Sequence, residues 1–120
     1  MGILQAILEG VALRFALVAD VILSKYPDVR EIIASGGVLT RAPYLAQMIS
    51  DAIGRPITTC GETEASSRGA AIIALKSIGE IAHYGDAEPP SGRIVKPNPE
   101  RHEILRKALA RQQELYTRLA

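Results

Sequence analysis

Residues 31–57, EIIASGGVLTRAPYLAQMISDAIGRPI, decide how this chain is read. A short β-branched segment at 31–35 turns through Gly36-Gly37 toward an amphipathic helix opened by Thr40 or its neighbours. Pro43 fits the first turn of that helix, where a missing N–H is no loss. Leu45, Met48, Ile49, Ala52 and Ile53 fall on one helical face, and Gly54 stops the helix as a C′ residue. A second extended segment follows at 56–60. Strand, helix and strand at this spacing make one βαβ unit, parallel and right-handed.

A strand that turns on glycines into a helix can hold a phosphate. Backbone without Cβ atoms approaches a ligand closely, and the first-turn N–H groups face an anion. Neither G-x-G-x-x-G nor G-x-x-x-x-G-K-[ST] occurs in the chain. Local chemistry alone therefore leaves an ordinary βα turn standing beside a phosphate-binding one.

Outward from this unit, residues 3–26 read as a long helix. Leu4, Ile7, Leu8, Val11, Phe15, Val18 and Ile22 recur at spacings of three and four, and Leu13, Leu17 and Val21 widen the apolar face. A helix apolar around most of its circumference is covered on more than one side. Pro27 ends it. Residues 62–79 form a third helix, kept slim by Ala65, Gly69, Ala70, Ala71 and Ala74, with Glu62 and Glu64 where the helix dipole favours negative charge. Residues 85–97 read as a Pro- and Gly-rich loop. Asn98 and Pro99 then cap and open a last helix, whose stripe is Ile104, Leu105, Ala108, Leu109, Leu115, Tyr116 and Leu119. Four helices and two strands are too few strands for a whole doubly wound domain, so the chain reads as the C-terminal part of a larger α/β domain.

The bulk properties exclude more than they identify. At 120 residues, 48% hydrophobic and 22% charged, the chain has the composition of a soluble globular domain or part of one. A net charge of +1 gives no attraction to nucleic acid or to anionic membrane. Glu9, Arg14 and Asp20 interrupt the apolar N-terminal run, which makes it a poor membrane span, and no basic segment of an export signal precedes it. The reading is cytoplasmic. Cys60, the one cysteine, reads as a buried structural thiol, and no Cys/His cluster has zinc spacing. Asp51 reads as a solvated surface charge, and His83 and His102 as surface or helix-end histidines. No catalytic residue and no metal ligand is assigned.

Three blocks in order, AILEGVALRF, IIASGGVLTRAPYLAQMISDAIGRPI and ETEASSRGAAIIAL, close on an ELYTRL helix. Together they resemble the C-terminal end of the FGGY carbohydrate kinases, across nearly the whole chain. The resemblance implies an α/β fold that is part of an actin-like, ribonuclease H-like ATPase domain, a parallel strand pair with helices on both faces. It implies that residues 1–120 are the C-terminal part of the nucleotide-binding domain, without the N-terminal sugar-binding and catalytic domain. Gly36 and Gly37 would then lie against the nucleotide, with Thr40 or Arg41 bordering adenine or ribose. The spacing from Gly37 to Gln47 is about one residue longer than the family pattern. The resemblance further implies ATP and Mg2+ as cofactors of the full-length parent, and a sugar or polyol substrate bound by the absent domain. Arg68 within ASSRGAA leans toward gluconate- or xylulose-type members. The family's catalytic Asp context is not present around Asp20, Asp28, Asp51 or Asp86.

Two other readings compete. One is a non-catalytic interaction module on the same fold, using the first and last helices as partner surfaces. The other is a different actin-like ATPase, against which the EASSRGAA block argues. The uncovered apolar surface of the first helix predicts self-association as a homodimer.

Overall fold

The computed structural model describes residues 2–61, 64–87 and 92–119. In chain order the elements are α1 (Ile3–Lys25), β1 (Ile33–Ala34), α2 (Gly37–Arg41), α3 (Pro43–Ile53), β2 (Ile57–Cys60), α4 (Ala65–Ser77), a 3₁₀ turn (Tyr84–Asp86), β3 (Gly92–Val95) and α5 (Pro99–Leu119).

The βαβ unit forms as its sequence predicts, with β1 and β2 parallel and Ile33 opposite Thr58. The paired part of β1 is only two residues long, and the segment is not buried throughout. Ile32 and Ala34 pack toward the core, whereas Ile33 points away and is 56% exposed. That is the period-two alternation of a strand covered on one face.

The predicted single helix of this unit is two. Pro43 disfavours helical backbone at the residue before it. Ala42 accordingly sits at φ −124° and ψ 73° and separates the one-turn α2 from α3. Pro43 then opens α3, where no N–H is required. Leu45, Ala46, Ile49 and Ala52 are buried along α3, with Met48 and Ile53 at the margin. Gly54 closes it in the left-handed region, its N–H donating to the Ser50 carbonyl at 2.9 Å.

The 85–97 segment is not all loop. β3 runs antiparallel to β2, with Ile57 opposite Val95 and Cys60 opposite Gly92, so β2 is the middle strand of the three. Only glycine fits at position 92, because a Cβ there would lie 1.8 Å from the Thr59 carbonyl oxygen.

Helices α1 and α5 both pack on α3, which lies against β2 and β3. Ala12 and Ala16, one turn apart and fully buried, let α3 come close to α1, and Leu13 fills the space beside them. Leu105 and Leu109 close the core from α5, and Arg106 Nη1 pairs with Asp20 Oδ2 at 2.7 Å across α1 and α5. Along the longer apolar stripe of α1, Leu4, Ile7, Phe15 and Val18 are at least half exposed. So are Ile104, Leu115, Tyr116 and Leu119 on α5. Helix α4 buries none of its residues. Glu62 falls outside the described residues, and Glu64 occupies the N-cap position of α4. Asn98 caps α5 as read, its Oδ1 accepting the Arg101 N–H at 3.0 Å.

Candidate functional site

Parallel strands present their carboxyl ends on one side of a sheet, where open α/β folds bind ligands. Here that side carries the turn from β1 into α2 and the end of β2. Gly36 stands at φ 120° and ψ 145°, a conformation only glycine adopts without strain. The space around it is open: a Cβ at Gly36 would meet nothing within 4 Å. Backbone geometry fixes this residue as glycine, and packing does not. Gly37 is the first helical residue of α2 and does not have positive φ.

The helix-dipole part of the anion argument is reduced. Helix α2 is five residues long and carries the dipole of a single turn. The longer α3 starts at Pro43, which contributes no N–H. Gly36, Gly37, Thr40 and Arg41 are gathered at one turn by adjacency in sequence. Arg41 is exposed at its end, and the Thr40 side chain lies outside what the structure describes.

Beside this turn is a cavity of about 230 Å³. Leu39 joins the two, because its N–H donates to the Gly36 carbonyl at 3.1 Å while its side chain lines the cavity. Pro43, Ala46 and Gln47 of α3 form one wall, and Thr59 through Gly61 the end of β2. Arg93 on β3 is the cationic side chain among the lining residues. None of Gly36, Gly37, Thr40 and Arg41 lines the cavity itself.

The sequence alone gives Gln47 no role. Its Nε2 donates to Asp51 Oδ1 and to the Lys96 carbonyl, each at 2.8 Å. The i, i+4 spacing of Gln47 and Asp51 was the available signal. Asp51 is fully buried, which corrects its reading as a solvated surface charge. Its Oδ1 accepts the Asn98 N–H at 2.7 Å, and Arg101 Nη1 lies 3.9 Å from Oδ2. Hydrogen bonds to Oδ1 offset part of the cost of burying the carboxylate, while Oδ2 has no hydrogen-bond partner and only the Arg101 guanidinium near it. Asn98 caps α5 and Arg101 lies in its first turn, both far away in sequence. His102 stands in the first turn of α5, a helix-end histidine as read, and is half-buried, its Nδ1 2.8 Å from the Asp51 carbonyl oxygen. His83 is exposed beside the 3₁₀ turn, as read. Cys60 is half-buried at the end of β2.

The sequence model of the FGGY family of carbohydrate kinases, C-terminal domain, matches residues 1–78, and the chain belongs to that family. It is 27% identical over 118 residues to a ribulokinase of Vibrio parahaemolyticus, covering 95% of this chain and 21% of that protein. It is 30% identical over 90 residues to a ribulokinase of Mycolicibacterium smegmatis, covering 75% of this chain and 15% of that protein. The xylulose kinase of Rhodospirillum rubrum superposes with a TM-score of 0.73 at 26% identity, over 96% of this chain and 23% of that one. The chain thus spans about a fifth of the length of these relatives.

Proposed function

We propose that this chain is the C-terminal part of the nucleotide-binding domain of a cytoplasmic, ATP-dependent carbohydrate kinase. The parent transfers the γ-phosphoryl group of ATP to a hydroxyl of a sugar or polyol. In this reading the chain supplies part of the nucleotide-binding wall. Gly36 and Gly37 lie against the nucleotide, with Thr40 or Arg41 at its base or ribose. The single observation that carries the reading is Gly36 at φ 120° on the carboxyl end of a parallel strand, inside the segment the family matches.

Phosphoryl transfer depends on positioning and on electrostatic stabilisation of an in-line displacement. The residues described here contribute positioning on one side. Backbone at Gly36 can approach a ligand without a side chain intervening. The catalytic base and the sugar contacts belong to the rest of the parent. No group of three or more His, Cys, Asp or Glu able to hold a metal ion forms among the described residues. In this reading the Mg2+ of such a kinase accompanies the nucleotide phosphates. No helix among the described residues is long and apolar enough to cross a membrane.

The exposed stripe of α1 favours a second reading, a non-catalytic interaction module that associates through this face as a homodimer. A coupled ADP-release assay on the full-length kinase carrying this segment tests the first reading. Gly36→Val should raise the KM for ATP more than the KM for sugar. Equal effects on both would remove the glycine turn from the nucleotide site.

A further inference from the structure

We propose that Gln47 selects adenine over guanine, its Oε1 accepting a hydrogen bond from the 6-amino group of a purine base seated in the cavity beside Leu39. This rests on the nucleotide-wall reading above and deepens it to the identity of the base; with the base in a cavity that neither Thr40 nor Arg41 lines, those two residues are left to the ribose.

The orientation of the Gln47 amide is fixed. Its nitrogen sits 2.8 Å from two acceptors, Asp51 Oδ1 and the Lys96 carbonyl. Turned over, the amide would set Oε1 against both, with no donor between them. Both N–H groups of Gln47 are thereby committed, and the end that remains is an acceptor. Gln47 borders two cavities. Lys96, which takes the amide nitrogen, borders the second of them, and in the first the proposal sets the amide oxygen as the acceptor.

The first cavity suits one flat moiety. At about 230 Å³ it falls below the ~300–1,000 Å³ of a complete small-molecule site. Leu39, Pro43, Ala46 and Val95 make much of its lining apolar. Arg93 can lie over an aromatic face, as guanidinium groups do. Through Leu39 the cavity adjoins the Gly36 turn, which leaves the phosphates of a base-bound nucleotide on the glycine side. Adenine offers a donor at its 6-position. Guanine offers a carbonyl oxygen there, which an acceptor repels.

The test is an amide-resolved NMR titration of the 120-residue chain with three probes: ATP, GTP, and purine riboside triphosphate, which lacks the 6-amino group. ATP should bind about three- to tenfold more tightly than either of the others, the value of one neutral hydrogen bond. In Gln47→Leu that ratio should fall to near one. A purely structural role for Gln47 would weaken all three probes together and leave their ratio unchanged, and that outcome overturns the proposal. Equal binding of all three probes by the unaltered chain overturns it too, even if the variant does not fold. If ATP shifts the amides around Gly36 without preference over GTP, base selection fails and the nucleotide wall stands. If no probe shifts any amide at millimolar concentration, both fail.

Discussion

Asp51 receives the backbone N–H of Asn98 on its Oδ1 at 2.7 Å, joining the last turn of α3 to the cap of α5 across 47 positions of sequence. The same oxygen holds the Gln47 amide, and Asn98 in turn caps α5 through Arg101. One buried carboxylate therefore organises the junction of α3, β3 and α5. In Asp51→Ala the Asn98 N–H and one Gln47 N–H lose their acceptor inside the protein. We expect a loss of about 2–4 kcal/mol in urea or thermal unfolding, from hydrogen bonds to a charged group and the donors left unpaired. Asp51→Asn keeps one acceptor oxygen and should lose less. Equal stability of Asp51→Ala and the unaltered chain would refute the role.

Gly36→Ala separates strain from packing. No atom lies within 4 Å of the added methyl, so the cost is that of holding alanine at φ 120°. About 1–3 kcal/mol is expected, read as a lowered midpoint of unfolding. In the full-length kinase the same change should disturb ATP binding more than sugar binding. A variant as stable as the parent would show that the turn relaxes freely.

Gly92→Ala is the opposite case. The added methyl would sit 1.8 Å from the Thr59 carbonyl oxygen, so the β2–β3 ladder must shift. We expect about 1–3 kcal/mol of destabilisation. Faster hydrogen exchange should be confined to the amides of β2 and β3. Unaltered exchange there would argue that β3 does not pair in solution.

The legible parts of this fold were those with local causes. The period of Leu45, Ile49 and Ala52, with Gly54 after them, placed α3, and Asn98-Pro99 placed the start of α5. Pro43 was seen as compatible with a helix. Its effect on Ala42 was not, so α2 and α3 were read as one. The strand Gly-Arg-Ile-Val at 92–95 is short and set among prolines and glycines. It exists because β2 offers it an edge. Local sequence makes Asp51 look solvent-facing because its partners, Asn98 and Arg101, come from a distant segment. The glycine turn of the candidate site was visible for the same local reason as the helices. Gln47 acquires its role from Asp51 and Lys96 together, which no local pattern reveals.

The isolated chain should not phosphorylate sugars. In the proposed reading its residues provide only one side of a nucleotide site, and in-line transfer needs a base and an acceptor held opposite. Nucleotide binding by the chain alone should be weak, around millimolar, because few contacts offset the cost of association. ADP-release assays with gluconate, xylulose, ribulose and glycerol should stay at background. Turnover that survives repurification would overturn this.

Self-association should follow from α1. Ile7, Phe15 and Val18 lie along one side of the helix and are 58%, 50% and 56% exposed, with Leu4 at 67% extending the stripe. Soluble monomers rarely leave contiguous apolar patches beyond a few hundred Å² open to water. At roughly 25 cal/mol per Å², covering a few hundred Å² favours association by several kcal/mol before the loss of translational and rotational freedom is subtracted. Two copies meeting through the same face form a closed symmetric pair, with no unsatisfied stripe left to extend it. Light scattering over a concentration series should show the mass of two chains. Phe15→Glu with Val18→Lys should return it to one, with the buried Ala12, Leu13 and Ala16 side of α1 left intact. A single-chain mass at high concentration in the unaltered protein would exclude the dimer.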